Sequence, residues 1–130
     1  LKEADVPPIE VVFYREVDGT VPVIEWLDDL PPKARTKCVY ALERLADLGY
    51  ELRRPAADYL RDGIYELRVG WQGVNYRMLY FFHDRAVALV SHGILKERRV
   101  PPREIERAIN RRMEVKHDPI RHTFRPGPLK

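Results

Sequence analysis

Three stretches that alternate between two faces follow one another between Ile64 and His92, joined by turns too short to hold any other element. Ile64–Gly70 (IYELRVG), Val74–Phe82 (VNYRMLYFF) and Val87–His92 (VALVSH) are rich in β-branched and aromatic residues. Gly70-Trp71-Gln72-Gly73 and His83-Asp84-Arg85-Ala86 separate them. Connections of this length join antiparallel neighbours, because a parallel pair needs a long crossover. The chain therefore contains a three-stranded meander. Side chains alternate across each strand, so Tyr65, Leu67 and Val69 lie opposite in sense to Ile64, Glu66 and Arg68, and Tyr76, Met78 and Tyr80 to Arg77, Leu79 and Phe81.

The rest of the chain is punctuated by proline pairs at 7–8, 31–32 and 101–102, which suit the turn before an element or its first helical residue. Ile9–Val17 reads as a strand. A short helix is expected from Thr20-Val21-Pro22 to Leu30. A longer one follows Pro31-Pro32, with Ala34, Cys38, Ala41, Leu42, Leu45 and Leu48 at helical spacing and Gly49 as its stop. Tyr50–Leu60 reads as a connector. After Pro101-Pro102 a last helix runs to about His117 with Ile105, Ala108, Ile109 and Met113 as its seam, and the tail from Asp118 reads as loose. The order is β-α-α-β-β-β-α. This predicts an α+β fold, with two N-terminal helices packed on an antiparallel sheet and a helix after it, over residues 1–117, then a basic, proline-containing tail over 118–130.

Several classes of function are excluded or disfavoured. One cysteine forms no internal disulfide and no multi-cysteine zinc site, and its place on an apolar stripe makes it a core residue. His83, His92, His117 and His122 lack metal-ligand spacing, Gly70-x-x-Gly73 is hairpin punctuation, and Ser91 is the only serine. No metal and no cofactor are expected. No apolar run approaches about 18 residues, and the N-terminal residues show no secretory leader, so a cytoplasmic protein without a membrane partner is expected. The net charge of +3 hides a split: residues 1–59 carry 8 basic against 12 acidic side chains, and residues 60–130 carry 15 against 8. A basic surface from the second half favours a polyanionic partner. Lys96, Arg98 and Arg99, compensated only by Glu97, are the segment expected to contact RNA backbone. Arg103, Arg107 and Arg111 read as a solvated, salt-bridged ridge.

With symmetric turns about Trp71-Gln72 and Asp84-Arg85, Glu66 faces Arg77 and Arg77 faces His92, with Arg68 beside them. A carboxylate, two guanidiniums and an imidazole on one sheet face fit RNA cleavage by in-line attack of the 2′-hydroxyl. Glu66 or His92 is then the base, His92 or a tyrosine the acid, and Arg68 and Arg77 the donors to the phosphorane. The same residues also fit an ordinary ion pair on a solvated face.

GIYELRVGWQGVNYRMLYFF, followed by LVSHGILKERRVPPREIERAINRR, resembles the RelE/ParE toxin superfamily, most closely its phage-derived, gene-product-49-like and HigB-type branch. The likeness lies in the order ELR, YR-x-LY-F, HG-x-x-K and P-x-x-EI-x-R-A, and spans about Ile9–Arg112. It implies the RelE-like form of the fold read above, and a toxin of a type II toxin–antitoxin module. The activity it implies is that of an mRNA endonuclease acting on the ribosome, or, in the ParE branch, a non-catalytic inhibitor of DNA gyrase or another protein. It implies as partners mRNA, the ribosome and an antitoxin, often of helix-turn-helix type, in a hetero-oligomer. Arg68 and Arg77 match basic strand positions that contact phosphate in RelE-type members. Ile64 and Glu66 stand where RelE has lysines, and Ile94-Leu95 where it has basic residues. Glu66 as base resembles a carboxylate variant found elsewhere in the superfamily, and His117 and His122 are candidates for the C-terminal histidine of some HigB-like members.

Overall fold

The computed structural model describes residues 8–96 and 98–127. Pro7 of the first proline pair, the Glu97 position and the last three residues of the tail lie outside the described residues, as does the side chain of Lys96. The elements are β1 (Glu10–Tyr14), α1 (Pro22–Asp28), α2 (Pro32–Leu48), a 3₁₀ turn over Gly49–Glu51, β2 (Ala57–Arg61), β3 (Ile64–Trp71), β4 (Val74–His83), β5 (Val87–Lys96), α3 (Pro102–His117), α4 (Pro119–His122) and β6 (Thr123–Phe124). Among the described residues the strands form one sheet in the order β2-β3-β4-β5-β1-β6. Among them, too, no helix is long and apolar enough to cross a membrane.

Proline stands at the start of α1, α2 and α3, where its missing N–H costs nothing. Helices α1 and α2 cover one sheet face. Val23, Leu27, Ala34, Cys38, Leu42 and Leu45 meet Val11, Phe13, Leu67, Met78, Tyr80 and Val90 there. Burial pushes the Cys38 thiol up to about 12, in keeping with a core residue. Helix α3 covers the other face, setting Ile105, Ala108 and Val115 against Val12, Ile64, Leu79, Phe81 and Leu89.

The mixed α+β character agrees with the sequence reading, but the order of elements differs from β-α-α-β-β-β-α. The sheet is not wholly antiparallel, because β1 runs parallel to β5 with Val12 beside Leu89. Alternation identifies a strand without naming its neighbour. The end of the expected connector at 50–60 belongs to β2, which pairs with β3 through the Asp62-Gly63 turn. Both turn residues have positive φ (53° and 81°), the geometry for which Asp-Gly is a strong signal. The tail from Asp118 is not loose. Its β6 pairs with β1, Phe124 beside Phe13, and His122 is buried, stacked on Tyr14 with centroids 5.5 Å apart. On α3, Met113 is 63% exposed and Val115 takes its expected place in the core.

Register also differs. The first meander turn is centred on Gln72-Gly73, both at positive φ, so Arg68 faces Arg77 and Glu66 faces Leu79. This two-residue offset preserves which face each side chain occupies. In the second hairpin Arg77 faces Ile94, not His92, and His92 faces Leu79. A bulge leaves Ser91 as the extra residue between the Leu79–His92 and Tyr80–Val90 pairs. Unbroken alternation from Leu89 would send His92 to the α1/α2 face; the bulge returns it to the α3 face.

Candidate functional site

Arg68 and Arg77 sit directly opposite each other on β3 and β4. Like charges in that relation repel, and Glu66, two residues from Arg68 on the same face, answers both. Its Oε1 lies 3.1 Å from Arg77 Nε and its Oε2 3.8 Å from Arg68 Nε. Glu66 and Arg77 are buried, at 5% and 6% exposure, while the Arg68 side chain keeps 35%. The close contact is poorly aligned: neither Glu66 Oε1 nor Arg77 Nε makes a hydrogen bond, although Arg77 Nη1 donates to the Tyr76 carbonyl at 3.2 Å. Burial lowers the pKa of Arg77, Glu66 opposes that shift, and Arg68 adds to it. Two guanidiniums thus meet at one buried carboxylate, and Asp58, paired across from Glu66 on β2, lies within electrostatic reach of Arg68.

His92 is on the same face but not in this group. In the row Glu66–Leu79–His92 across the sheet, Leu79 is fully buried and separates the two titratable groups. His92 Nδ1 lies 2.7 Å from Ser91 Oγ and its Nε2 3.0 Å from Glu104 Oε1 on α3. Burial, then Arg111, lower its pKa to about 4 despite Glu104. The neutral ring donates from Nε2 to the carboxylate and accepts at Nδ1 from the serine hydroxyl. Both nitrogens are occupied.

The sequence reading missed the polar cluster behind His92. Arg111 is not on a solvated ridge with Arg103 and Arg107. Its side chain is 14% exposed, pairs with Glu16 at 2.9 Å, donates to the Ser91 carbonyl at 3.2 Å and lies 4.8 Å from the Tyr14 ring centroid. Tyr14 in turn donates to Glu114. Residues 104, 108, 111 and 115 follow one helical stripe, so the spacing to buried Ala108 and Val115 was the available signal. Of the C-terminal histidines, His117 is exposed, and His122 Nδ1 lies 2.9 Å from the Arg15 carbonyl.

Lys96 ends β5 opposite Asn75, two residues along the ladder from the Arg77–Ile94 pair, and Arg98 and Arg99 are exposed in the turn before α3. The basic segment therefore lies at the same end of the sheet as Arg68 and Arg77. Among the described residues no three His, Cys, Asp or Glu side chains gather as a metal-binding group.

The sheet is mixed, with a guanidinium-rich centre on one face and a basic turn at one end. The model of the phage-derived protein Gp49-like family (DUF891) matches residues 25–113, which include Glu66, Arg68, Arg77, His92 and the Lys96–Arg99 segment. The chain belongs to this RelE/ParE-like toxin family. No curated protein matches it.

Proposed function

We propose that the chain is the toxin of a type II toxin–antitoxin module and a metal-independent endoribonuclease that cleaves mRNA on the ribosome by in-line attack of the 2′-hydroxyl. The observation that carries this reading is the pair of arginines opposed across the β3–β4 ladder with one carboxylate between them. A scissile phosphate brings its negative charge to the two guanidiniums, whose donors lie where charge develops on the phosphorane. As the phosphate engages the guanidiniums it competes with Glu66 for them, freeing that carboxylate to take the 2′-hydroxyl proton. The 2′-oxygen bonds to phosphorus as the P–O5′ bond breaks, and the 5′-oxygen leaves with a proton from water, giving a 2′,3′-cyclic phosphate and a 5′-hydroxyl end. His92 acts as a positioning residue through Glu104 and α3. Lys96, Arg98 and Arg99 hold flanking RNA backbone. The antitoxin, of helix-turn-helix type, masks the same basic end in a cytoplasmic hetero-oligomer.

A second reading, a ParE-like inhibitor of gyrase or another protein target, is favoured by one observation: Glu66 and Arg77 are both buried. Induced expression with primer extension on cellular mRNA and DNA topology analysis separates the two. Arg68→Ala is the informative variant, since it removes a partly exposed cation without stranding a buried one. Loss of one such donor should reduce cleavage by roughly 100-fold or more, and Arg68→Lys should rescue poorly because an ammonium lacks the planar fork. Cleavage unchanged by Arg68→Ala at equal protein level refutes the catalytic assignment. Altered DNA topology with intact mRNA selects the second reading.

A further inference from the structure

On the sheet face opposite the Glu66–Arg77 pair, two clefts flank helix α2. The larger, about 500 Å³, lies past the C-terminal end of α2 and is lined by Tyr50, Tyr59, Tyr65, Arg53, Arg54 and Asp58. The smaller, about 200 Å³, lies between α2 and the end of β3 and is lined by Lys37, Tyr40, Arg44 and Arg68. They approach each other at the connector, where Ala56 lines the smaller and Ala57 the larger. Lys37, Tyr40 or Ala41, and Arg44 recur at the spacing of one helical stripe, so the cations stand roughly 10 Å apart along the axis.

Charge and aromatic content distinguish this flank from the rest of the surface. Five cations line the two clefts against one carboxylate, Asp58, which Arg54 holds at 3.0 Å. Among the described residues Lys37, Arg44 and Arg53 form no ion pair. Tyr40, Tyr50 and Tyr59 are 61%, 51% and 53% exposed, and they are the aromatic side chains among the described residues that stand so far out of the core. Tyr50 is braced by stacking on Phe82 at 3.9 Å, and Tyr59 by an edge contact with Tyr65 at 5.1 Å. Exposed rings held rigid beside uncompensated cations are what single-stranded nucleic acid requires: each base has a π-face to stack, and each phosphate a charge to place.

We propose that the two clefts form one track for single-stranded nucleic acid, with bases stacking on Tyr40, Tyr50 and Tyr59 and phosphates contacting Lys37, Arg44 and Arg53. Arg68 lines the smaller cleft and lies 3.8 Å from Glu66, so it joins the track to the charged centre across the sheet edge. Recognition here is independent of sequence. It also does not depend on whether the chain cuts RNA.

The test is a salt titration of binding to a fluorescein-labelled oligodeoxythymidine strand, read by anisotropy on the full chain. DNA lacks the 2′-hydroxyl, so cleavage does not enter. Each lost phosphate contact lowers the slope of log K against log salt by about 0.7 on a single strand. Lys37→Ala/Arg44→Ala/Arg53→Ala should therefore flatten it by about 2 units, and Lys37→Arg/Arg44→Lys/Arg53→Lys should restore it. Tyr50→Leu and Tyr59→Leu should weaken binding roughly 5- to 150-fold for each stacked base lost, with little change in slope. Arg103→Ala/Arg107→Ala, on the opposite face, should keep both affinity and slope. The proposal is overturned if the triple alanine variant keeps its slope while the α3 variant loses it. It is also overturned if the strand does not bind and polyglutamate does, which makes the flank a site for acidic peptide.

Discussion

The Glu66–Arg77 pair offers a quantitative test of how the charged centre is built. Arg77→Met keeps most of the side-chain volume but leaves the Glu66 carboxylate, 5% exposed, with only Arg68 at 3.8 Å. Removing one member of a buried pair costs about 3–5 kcal/mol, because the other charge stays desolvated. The remaining arginine puts the expected loss near the lower end, about 3 kcal/mol. For a chain of this length that lowers Tm by about 10–15 °C. Glu66→Met strands Arg77 in the same way. Glu66→Met/Arg77→Met removes both desolvation penalties and should lie within about 1 kcal/mol of the parent protein, or above it. The coupling energy from the four proteins should then be about 5 kcal/mol. Urea denaturation followed by circular dichroism gives all four stabilities. Single losses that simply add, within about 0.5 kcal/mol, refute the argument, since two independent side chains have no shared penalty. Arg77→Ala is for the same reason a poor probe of function: lost activity would mix chemistry with unfolding.

His92 makes stability depend on pH. Its folded pKa of about 4 lies below the unfolded value of about 6.5, so between these values the unfolded chain binds more protons and stability falls as pH drops through that window. The full effect is about 3 kcal/mol; His92→Gln should flatten the difference between pH 7 and pH 4.5, and an unchanged profile in denaturation experiments counts against the buried neutral imidazole. Gly93→Ala drives a Cβ into the Trp26 indole. The indole must move, at a cost of about 1–3 kcal/mol, with a red shift of tryptophan emission; unchanged emission and Tm contradict the close packing of α1 on β5.

Alternation was enough to find β3, β4 and β5, and Glu66, Arg68 and Arg77 share the expected face because the register of the β3–β4 hairpin differs from the expected one by an even number of residues. It was not enough to choose partners within that face. The Gln72-Gly73 turn, shifted one residue from the expected centre, brought Arg68 rather than Glu66 opposite Arg77, and so turned a simple ion pair into two guanidiniums around one carboxylate. For His92 the decision lay in a single bulged residue, Ser91, whose effect no periodicity records. Proline pairs and apolar stripes marked α2 and α3, yet Arg111 left the expected ridge because α3 docks on the stripe through Ala108 and Val115.

Charge shows the same division. By linear count the first 59 residues are acidic, with 8 basic and 12 acidic side chains, and nothing in that total predicts a basic surface. Folding nevertheless gathers Lys37, Arg44, Arg53 and Arg54 from this half along the flank of α2 and adds Arg68 from β3. Residue types and their local period are written in the chain, and they determined the strands, the main helices and the candidate chemistry. Which charges share a surface depends on contacts between segments distant in sequence, with β1 laid parallel to β5 and α2 laid across the meander, and those were decided only by the packed structure.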